Sequence, residues 1–502
     1  MDIFDGLLLG FKVALSVQAL LLCLLGVTLG TLIGVLPGIG PSATIAMLLP
    51  ITLTLNPTHA LIMLAGIYYG AQYGGSITAI LVNLPGEPSS AVTAIDGYQM
   101  ARQGRAGAAL SISAIGSFVA GTIATLVIAV ASPALSQVAL KFGSPEYFSL
   151  TLLGIILVVV LSQGSPLKEL SMAVTGLLLG LVGTDVFTAV TRFTFDNDEL
   201  RGGIGFMAVS IGVFGIGEVL RNLESDDGQT RSSYAINSLW PTREDWKRSV
   251  GPVLRGTGLG SLLGVLPGGG AFLSSFASYA VEKKFSRYPD EFGKGAIEGV
   301  AGPESANNAG AQTSFIPMLT LGIPSNAVMA LMIGAMVVKG IQPGPRIITA
   351  QPDLFWGLIA SMWIGNVMLL VLNLPLVGIW VKLLKIPYSI LFPGILAFCC
   401  IGTFVGNGSS QEVFILAIAG LAGYLFLRIG CTPAPFLLGF ILGPMVEEHF
   451  RRAMLISQGD ATVFFTRPIS AVLIVVALVL AAMLFVPSLF NLRKKVFQDA
   501  ED

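Results

Sequence analysis

Two short stretches of the chain, residues 84–90 and 323–326, combine helix-breaking residues with hydroxyl and amide side chains. Proline and glycine interrupt a helix there, and the serine or asparagine that follows is suited to cap the next helix. The start of a helix presents free N–H groups and about half of a positive charge, so it attracts a carboxylate. We therefore predict that both stretches, with neighbouring polar residues, bind an acidic solute. The predicted substrate-binding residues are Ser42, Pro88, Ser89, Ser90, Asn307, Asn308, Pro324, Ser325 and Asn326.

These stretches contain no arginine or lysine, so helix ends alone would offset a multiply charged anion only in part. A bound cation would complete the compensation, and unwound carbonyl groups with Ser, Thr and Asn oxygens are suitable ligands for it. Because Glu87 and Glu304 lie near the breaks, coupling to protons is an open alternative. The predicted cation ligands are Gly38, Gly40, Ser76, Thr78, Asn83, Gly268, Gly270 and Thr313.

The polar run 302–308 is unusual for a membrane segment, which favours a functional role. A hydrated surface loop is the alternative, because charged residues precede the run closely. Asp96, which a glycine follows, fits a turn before the basic residue Arg102.

One pattern of glycines and prolines occurs twice in the chain. The first copy includes Gly30 and Gly34, and every position recurs 230 residues later, beginning with Gly260. Between lipid tails such a break leaves polar backbone groups unsatisfied, so it must lie inside protein or line an aqueous cavity. Paired breaks in corresponding halves of a membrane chain indicate a transporter binding site. The predicted helix breaks are Pro37, Gly38, Pro85, Gly86, Pro267 and Gly268.

Composition is typical of a membrane protein. The 502 residues are 54% hydrophobic and 11% charged, with a mean hydropathy of +0.80. We predict an all-α polytopic membrane protein with roughly 10–12 transmembrane helices and additional re-entrant or broken helices. The net charge of −1 gives no indication of nucleic-acid binding.

A second pair of landmarks indicates two related halves. Residues 70–72 and 310–312 both read Gly-Ala-Gln, and each leads to a Pro-Ser motif. The loop near Asn56 carries no basic residue, whereas its counterpart contains Lys283 and Lys284, which favours an inverted-topology repeat. We predict repeat 1 at 1–220, a polar linker at 221–250, repeat 2 at 251–487 and a cytoplasmic tail at 488–502.

Five longer motifs are distributed along the chain. They are GVLPGIGPS at 34–42, YGAQYGGSITAILVNLPGEPSSAVTAIDGYQMARQGRAG at 69–107, RFTF at 192–195, AGPESANNA at 301–309 and IPMLTLGIPSNAVMALMIGA at 316–335. They resemble the TctA family, the large membrane subunit of the tripartite tricarboxylate transporters. The resemblance implies a secondary transporter in a bacterial inner membrane, with a small four-helix TctB-like membrane subunit and a periplasmic, TctC-like solute-binding protein as partners. It also implies uptake of di- or tricarboxylates, citrate among them, driven by an ion gradient, usually of sodium.

The preferred hypothesis is therefore cation-coupled carboxylate import by an elevator-like motion, with no enzymatic activity and no tightly bound cofactor. A membrane enzyme such as an intramembrane protease is a second hypothesis, because Asp185 ends an apolar run. The chain lacks a second aspartate in a matching context and an HExxH motif. A passive channel is the third hypothesis, and it would conduct without ion coupling and without a binding protein.

Overall fold

The computed structural model describes residues 2–36, 40–162, 165–225, 239–266, 270–383, 388–407 and 409–483. The predicted breaks Pro37, Gly38, Pro267 and Gly268, and the predicted tail at 488–502, lie outside these ranges. Regular structure in the described part is almost entirely helical, and the chain is an all-α polytopic membrane protein.

The first half contains ten α-helices and one short antiparallel strand pair within its described residues. The helices are α1 (Ile3–Ala14), α2 (Val17–Val35), α3 (Pro41–Leu53), α4 (Pro57–Val82), α5 (Ala91–Arg102), α6 (Ala106–Ala139), α7 (Ser144–Leu161), α8 (Pro166–Gly180), α9 (Phe206–Ser210) and α10 (Gly217–Ser225). The strands are β1 (Gly183–Thr184) and β2 (Thr191–Arg192). A π-helical segment, Ile211–Ile216, joins α9 to α10, and a 3-10 turn, Pro88–Ser90, precedes α5.

The described residues of the second half are helical throughout their regular structure. These helices are α11 (Arg243–Leu263), α12 (Gly270–Phe285), α13 (Glu298–Thr313), α14 (Phe315–Leu321), α15 (Ala327–Val338), α16 (Ile347–Ala350), α17 (Pro352–Asn373), α18 (Val377–Leu383), α19 (Tyr388–Asn407), α20 (Ser410–Arg428), α21 (Pro433–Ile456), α22 (Val463–Thr466) and α23 (Pro468–Met483). Both ends of the predicted linker 221–250 are helical, because α10 extends to Ser225 and α11 begins at Arg243.

Six helical segments in the described part are long and apolar enough to cross a membrane. They are Val17–Val35, Ala106–Ala139, Ser144–Leu161, Phe206–Glu224, Pro352–Asn373 and Ser410–Arg428. Shorter apolar helices accompany them, including α3 and α15. The outermost apolar side chains are largely exposed, as Phe414 and Ile418 of α20 illustrate, which suits a surface that faces lipid.

Helices α2 and α4 pack in parallel along a row of glycines. A Cβ atom added to Gly26 would lie 2.3 Å from the carbonyl oxygen of Met63, and one added to Gly34 would lie 2.4 Å from that of Ala71. Backbones can approach this closely only where side chains are absent. Because residue numbers rise together along the contact, the two helices run in the same direction.

Helices α11 and α13 repeat this packing in the second half. A Cβ atom added to Gly256 would lie 2.2 Å from the carbonyl oxygen of Gly302, and one added to Gly264 would lie 2.4 Å from that of Gly310. Gly256 and Gly264 follow Gly26 and Gly34 by the offset of 230 that the sequence pattern predicts. The two copies of the pattern therefore form equivalent helix pairs.

After the first break in each half, a short helix runs back towards the end of the molecule at which the preceding helix began. Helix α3 has 13 residues and is about 20 Å long, which is less than the roughly 30 Å of a bilayer core. It connects the end of α2 to the start of the parallel helix α4, so α2 and α3 form a re-entrant hairpin. Helices α11 and α12 form the corresponding hairpin, and the prediction of re-entrant helices is confirmed.

The two hairpins begin at opposite ends of the molecule. The Lys339 ammonium, directly after α15, donates to the carbonyls of Leu53 (3.2 Å) and Leu55, so α3 and α15 end together. Gln103, directly after α5, donates to the carbonyl of Lys294 (2.7 Å) in the loop between α12 and α13. Helix α6 starts beside the end marked by Gln103 and Lys294. It runs for 34 residues, about 51 Å, and reaches the end marked by Lys339. Inverted repeats have this arrangement.

Asp96 lies inside α5, so the prediction of a turn there is wrong. Its buried carboxylate accepts hydrogen bonds from the backbone N–H groups of Gly295 (2.8 Å) and Ala296 (2.9 Å) and from the Tyr279 hydroxyl (2.8 Å). These three donors come from the second half of the chain. A buried carboxylate needs such partners, and here they join α5 to the segment that precedes α13.

We expect Gly260→Ala to lower the thermal unfolding midpoint of the detergent-solubilised protein. The added methyl group would meet the carbonyl oxygen of Ala306 at 2.3 Å, and overpacking of this kind costs about 1–3 kcal/mol. Gly258→Ala is the matched control, because a Cβ atom there has no neighbour within 4 Å and alanine is the better helix former. Equal midpoints for the two variants would contradict the proposed close packing.

Candidate functional site

A cavity of about 400 Å3 lies where the starts of four helices meet. Its lining includes residues 40–42 at the start of α3, 87–89 before α5, 270–272 at the start of α12 and 326–328 at the start of α15. Each half of the chain thus contributes two helix starts to one cavity. Other lining residues include Tyr68 and Gln72 of α4, Leu438 of α21 and Glu218 of α10.

Asn326 caps α15 at the edge of this cavity. Its Oδ1 accepts a hydrogen bond from the backbone N–H of Met329 (3.0 Å), and its Nδ2 donates to the Tyr68 hydroxyl (3.1 Å). The neighbouring Ser325 hydroxyl instead donates to the carbonyl of Ser314 (3.2 Å) and is fully buried. Of the predicted residues 324–326, only Asn326 lines the cavity.

Ser89 and Ser90 occupy different positions although they are adjacent. The Ser89 hydroxyl lies in the cavity wall, hydrogen-bonded to the Glu87 carboxylate and 3.1 Å from the amide oxygen of Gln72. The Ser90 hydroxyl donates to the Glu87 carbonyl at 2.9 Å and lies outside the lining. Neither side chain caps α5, because the intervening 3-10 turn directs both hydroxyls elsewhere. Predicted capping by serine is therefore wrong here.

Asn307 and Asn308 lie in α13, whose residues are all buried. The surface-loop alternative for the run 302–308 is therefore wrong. Asn307 donates to the Glu87 carboxylate at 3.2 Å, directly behind the cavity wall, and its own Oδ1 has no hydrogen-bond partner among the described residues. Asn308 donates to the Ser117 hydroxyl at 2.7 Å, away from the cavity.

The predicted cation ligands do not converge on one point. Gly40 and Gly270 line the cavity, whereas Gly38 and Gly268 lie outside the described residues. Asn83 is exposed and ends α4 in a left-handed conformation. The hydroxyls of Ser76, Thr78 and Thr313 bond to carbonyl groups of their own helices.

Two acidic side chains face the cavity, and one of them was not predicted as a site residue. Glu87 belongs to a predicted stretch, whereas Glu218 comes from α10 and accepts a hydrogen bond from the backbone N–H of Gly40 (3.3 Å). An ionisable residue in the apolar run 203–220 was the available sequence signal. Within the described ranges, the lining contains no arginine, lysine or histidine.

A third buried acid, Glu304 of α13, lies behind the cavity. Its carboxylate accepts hydrogen bonds from the hydroxyls of Ser76 and Thr93, and Ser113 lies 3.4 Å away. These hydroxyls come from α4, α5 and α6, so one carboxylate of the second half binds three helices of the first. The arrangement explains why Ser76, a predicted cation ligand, is not available to the cavity.

Comparison with known proteins agrees with the geometry of paired breaks around one cavity. Residues 20–438 match the model of the tripartite tricarboxylate transporter TctA family. The chain belongs to the TctA family. It is 59% identical over 501 residues, the full length of both chains, to an uncharacterized 52.8 kDa protein in the TAR-I ttuC' 3'region of Agrobacterium vitis. It is also 61% identical over 238 residues, 47% of this chain and 98% of the relative, to an uncharacterized protein in the TAR-II ttuC' 3'region of the same organism. No solved structure matches the chain significantly.

Membership of the TctA family implies that the chain is a subunit of a transporter and not an enzyme. Asp185, which supported the protease hypothesis, lies next to β1 and pairs with Arg451 and Arg192. The Arg451 guanidinium, with the N–H groups of Thr188 and Phe187, holds the pKa of Asp185 well below its usual range. A paired carboxylate with a lowered pKa suits an ion pair between this hairpin and α21 better than proton transfer.

We expect a cysteine at Ser42 of this TctA protein to react with a water-soluble thiol reagent much faster than one at Thr44. Ser42 is partly exposed in the cavity, whereas Thr44 is 3% exposed and donates to the Gly40 carbonyl. Modification of a buried thiol requires local opening, which slows it by roughly tenfold or more. The measurement uses a background in which Cys23, Cys399, Cys400 and Cys431 are replaced. Equal rates at the two positions would contradict the assigned cavity.

Proposed function

We propose that this TctA-family subunit imports a di- or tricarboxylate together with cations, through the central cavity. A small four-helix membrane subunit and a periplasmic solute-binding protein complete the transporter in the bacterial inner membrane. Family membership supports the partners and the substrate class. The observation that carries the proposal is a cavity to which both halves supply helix starts and the first half supplies two carboxylates, without a basic side chain among its described lining residues.

Electrostatics makes cation uptake necessary if the substrate is a polycarboxylate. Two like charges 5 Å apart repel each other by about 3 kcal/mol at an effective dielectric constant near 20. A helix start offsets at most about 2 kcal/mol in a favourable site. Helix starts therefore cannot balance a dianion beside ionised Glu87 and Glu218. Cations or protons must enter with the substrate.

Sodium is the proposed coupling ion. The Glu218 carboxylate offers oxygen ligands at the cavity, as a hard cation requires. Proton coupling is the second candidate, and the burial of Glu87 at the cavity favours it, because a protonated carboxyl needs no counter-ion. An enclosed carboxylate site can act in either way.

The proposed motion is elevator-like. The inverted hairpins place helix starts from both repeats at the same depth, so one solute can be held while the site moves past the remaining helices. This proposal rests on the opposed hairpins and on the cavity between them. It predicts that both halves contact the same solute molecule.

We expect Asn326→Asp to reduce carboxylate uptake by roughly tenfold or more. The variant keeps the cap on α15 but adds a negative charge to a site that binds an anion, where a charge 5 Å away costs about 3 kcal/mol. Uptake of labelled citrate or succinate is measured in proteoliposomes that contain both partner subunits and an inward sodium gradient. Asn83→Asp is the matched control, because this exposed residue outside the cavity receives the same charge. Equal uptake by both variants would contradict the site.

We also expect Glu218→Gln to weaken the dependence of uptake on sodium. Loss of this carboxylate removes a proposed cation ligand while the side-chain volume is retained. Wild-type uptake should follow the sodium gradient and require the binding protein. Uptake that follows only a proton gradient would support the second candidate, and flux without any gradient or binding protein would indicate a passive channel.

A further inference from the structure

A second cavity, of about 800 Å3, lies between the later turns of α15 and α21 and the junction of α6 with α7. We call it the vestibule. Its polar lining residues are Tyr147, Gln342, Arg346, Glu448, His449 and Arg452. It adjoins Val338 at the end of α15, next to the Lys339 contact with α3. It therefore lies at the end of the molecule opposite the basic residues Arg102 and Lys294, which the positive-inside tendency assigns to the cytoplasm.

The vestibule offers donors to an anion, unlike the central cavity. Arg346 is exposed and has no ion pair within the described ranges. Arg452 pairs with Glu448 at 2.6 Å and remains half exposed. His449 stacks on Tyr147 with ring centres 5.0 Å apart, and its buried Nδ1 has no hydrogen-bond partner in the described structure.

These side chains suit a carboxylate. A guanidinium group presents several N–H donors in one plane and binds a carboxylate through two of them. Two arginines and one glutamate leave a net positive charge in the vestibule, before any contribution from His449. Lys339 is not part of the vestibule lining, because its ammonium is directed to the carbonyls of Leu53 and Leu55.

The vestibule and the central cavity share two helices and are separated by a thin apolar layer. Val328 of α15 lines the cavity and Ile333 lines the vestibule, about 7.5 Å farther along the helix. On α21, Leu438 lines the cavity and Phe440 lines the vestibule. All four side chains are less than 9% exposed. Only a few apolar side chains therefore lie between the two spaces.

We propose that the vestibule is a capture site for the carboxylate, which binds there through Arg346 and Arg452 before it passes to the central cavity. This inference rests on the proposed function and adds a second binding site to it. Capture at the vestibule needs no cation, because arginine supplies the positive charge. Transfer to the central cavity does need cations, because Glu87 and Glu218 face the solute there.

The first test measures uptake of labelled citrate by the complete transporter in proteoliposomes. We expect Arg346→Gln to raise the KM about tenfold, the usual effect of removing a charge-assisted hydrogen bond, with little change in the maximal rate. Arg346→Lys should recover part of the loss. Arg201→Gln is the control, because Arg201 is an exposed arginine outside the vestibule lining, paired with Asp198. An unchanged KM for Arg346→Gln would overturn the proposal.

The second test does not depend on transport. A cysteine at the exposed Gln342, in a background without the native cysteines, is labelled in nanodiscs of zwitterionic lipid. Citrate should slow the labelling severalfold, and Arg346→Gln should abolish that protection. Protection by phosphatidylglycerol nanodiscs but not by citrate would identify a lipid headgroup site and overturn the proposal. Citrate protection without any uptake by the wild-type transporter would contradict the proposed function while the vestibule stands.

Discussion

The structure depends on the requirement that a broken helix inside a bilayer must have its polar backbone enclosed by protein. Glycine meets this requirement by allowing the breaks to touch other backbone. A Cβ atom on Gly86 would lie only 1.9 Å from the carbonyl oxygen of Gly34, so the second break of the first half closes against the end of α2. In the second half, Ser314 donates to the Gly264 carbonyl at 3.3 Å and contacts Asn326. In each half, these contacts enclose backbone beside the second break, while the helix start that follows lines the cavity.

Buried carboxylates determine how the halves fit together. Asp96 of the first half receives its donors from the second, and Glu304 of the second half receives its donors from the first. A carboxylate in such a place is costly unless several donors satisfy it, so each acid fixes the relative position of the elements around it. Asn307 extends this network to Glu87 and therefore connects the interface of the halves to the cavity wall.

The sequence allowed the prediction of the membrane class, the re-entrant hairpins, their offset of 230 residues and six residues of the cavity wall, which are Gly40, Ser42, Pro88, Ser89, Gly270 and Asn326. These depend on local chemistry, because glycine and proline have the same effect wherever the chain places them. Glu218 was not predicted as a site residue, because its contact with Gly40 spans 178 positions of sequence and arises only from the fold.

The wrong or unsupported assignments have physical causes as well. A hydroxyl in an apolar helix can bind a ligand or return to a carbonyl one turn earlier, and the sequence does not distinguish the two. Ser76 and Thr313 illustrate the second outcome. Adjacent residues also differ in position. Asn326 lies in the cavity wall, whereas Ser325 is buried behind it.

The separation of charge between the vestibule and the cavity bears on ion coupling. An arginine in the cavity would raise the affinity for the anion in the absence of cations and so weaken the dependence of binding on them. Coupling requires the affinity for the anion to depend on the bound cation, and the dependence must be equal in both directions. In the proposed transporter, carboxylates in the wall would provide such a dependence, because they would repel the substrate until cations or protons neutralised them. In the proposed transporter, the positive charge that attracts the substrate lies outside the cavity, at Arg346 and Arg452 of the vestibule.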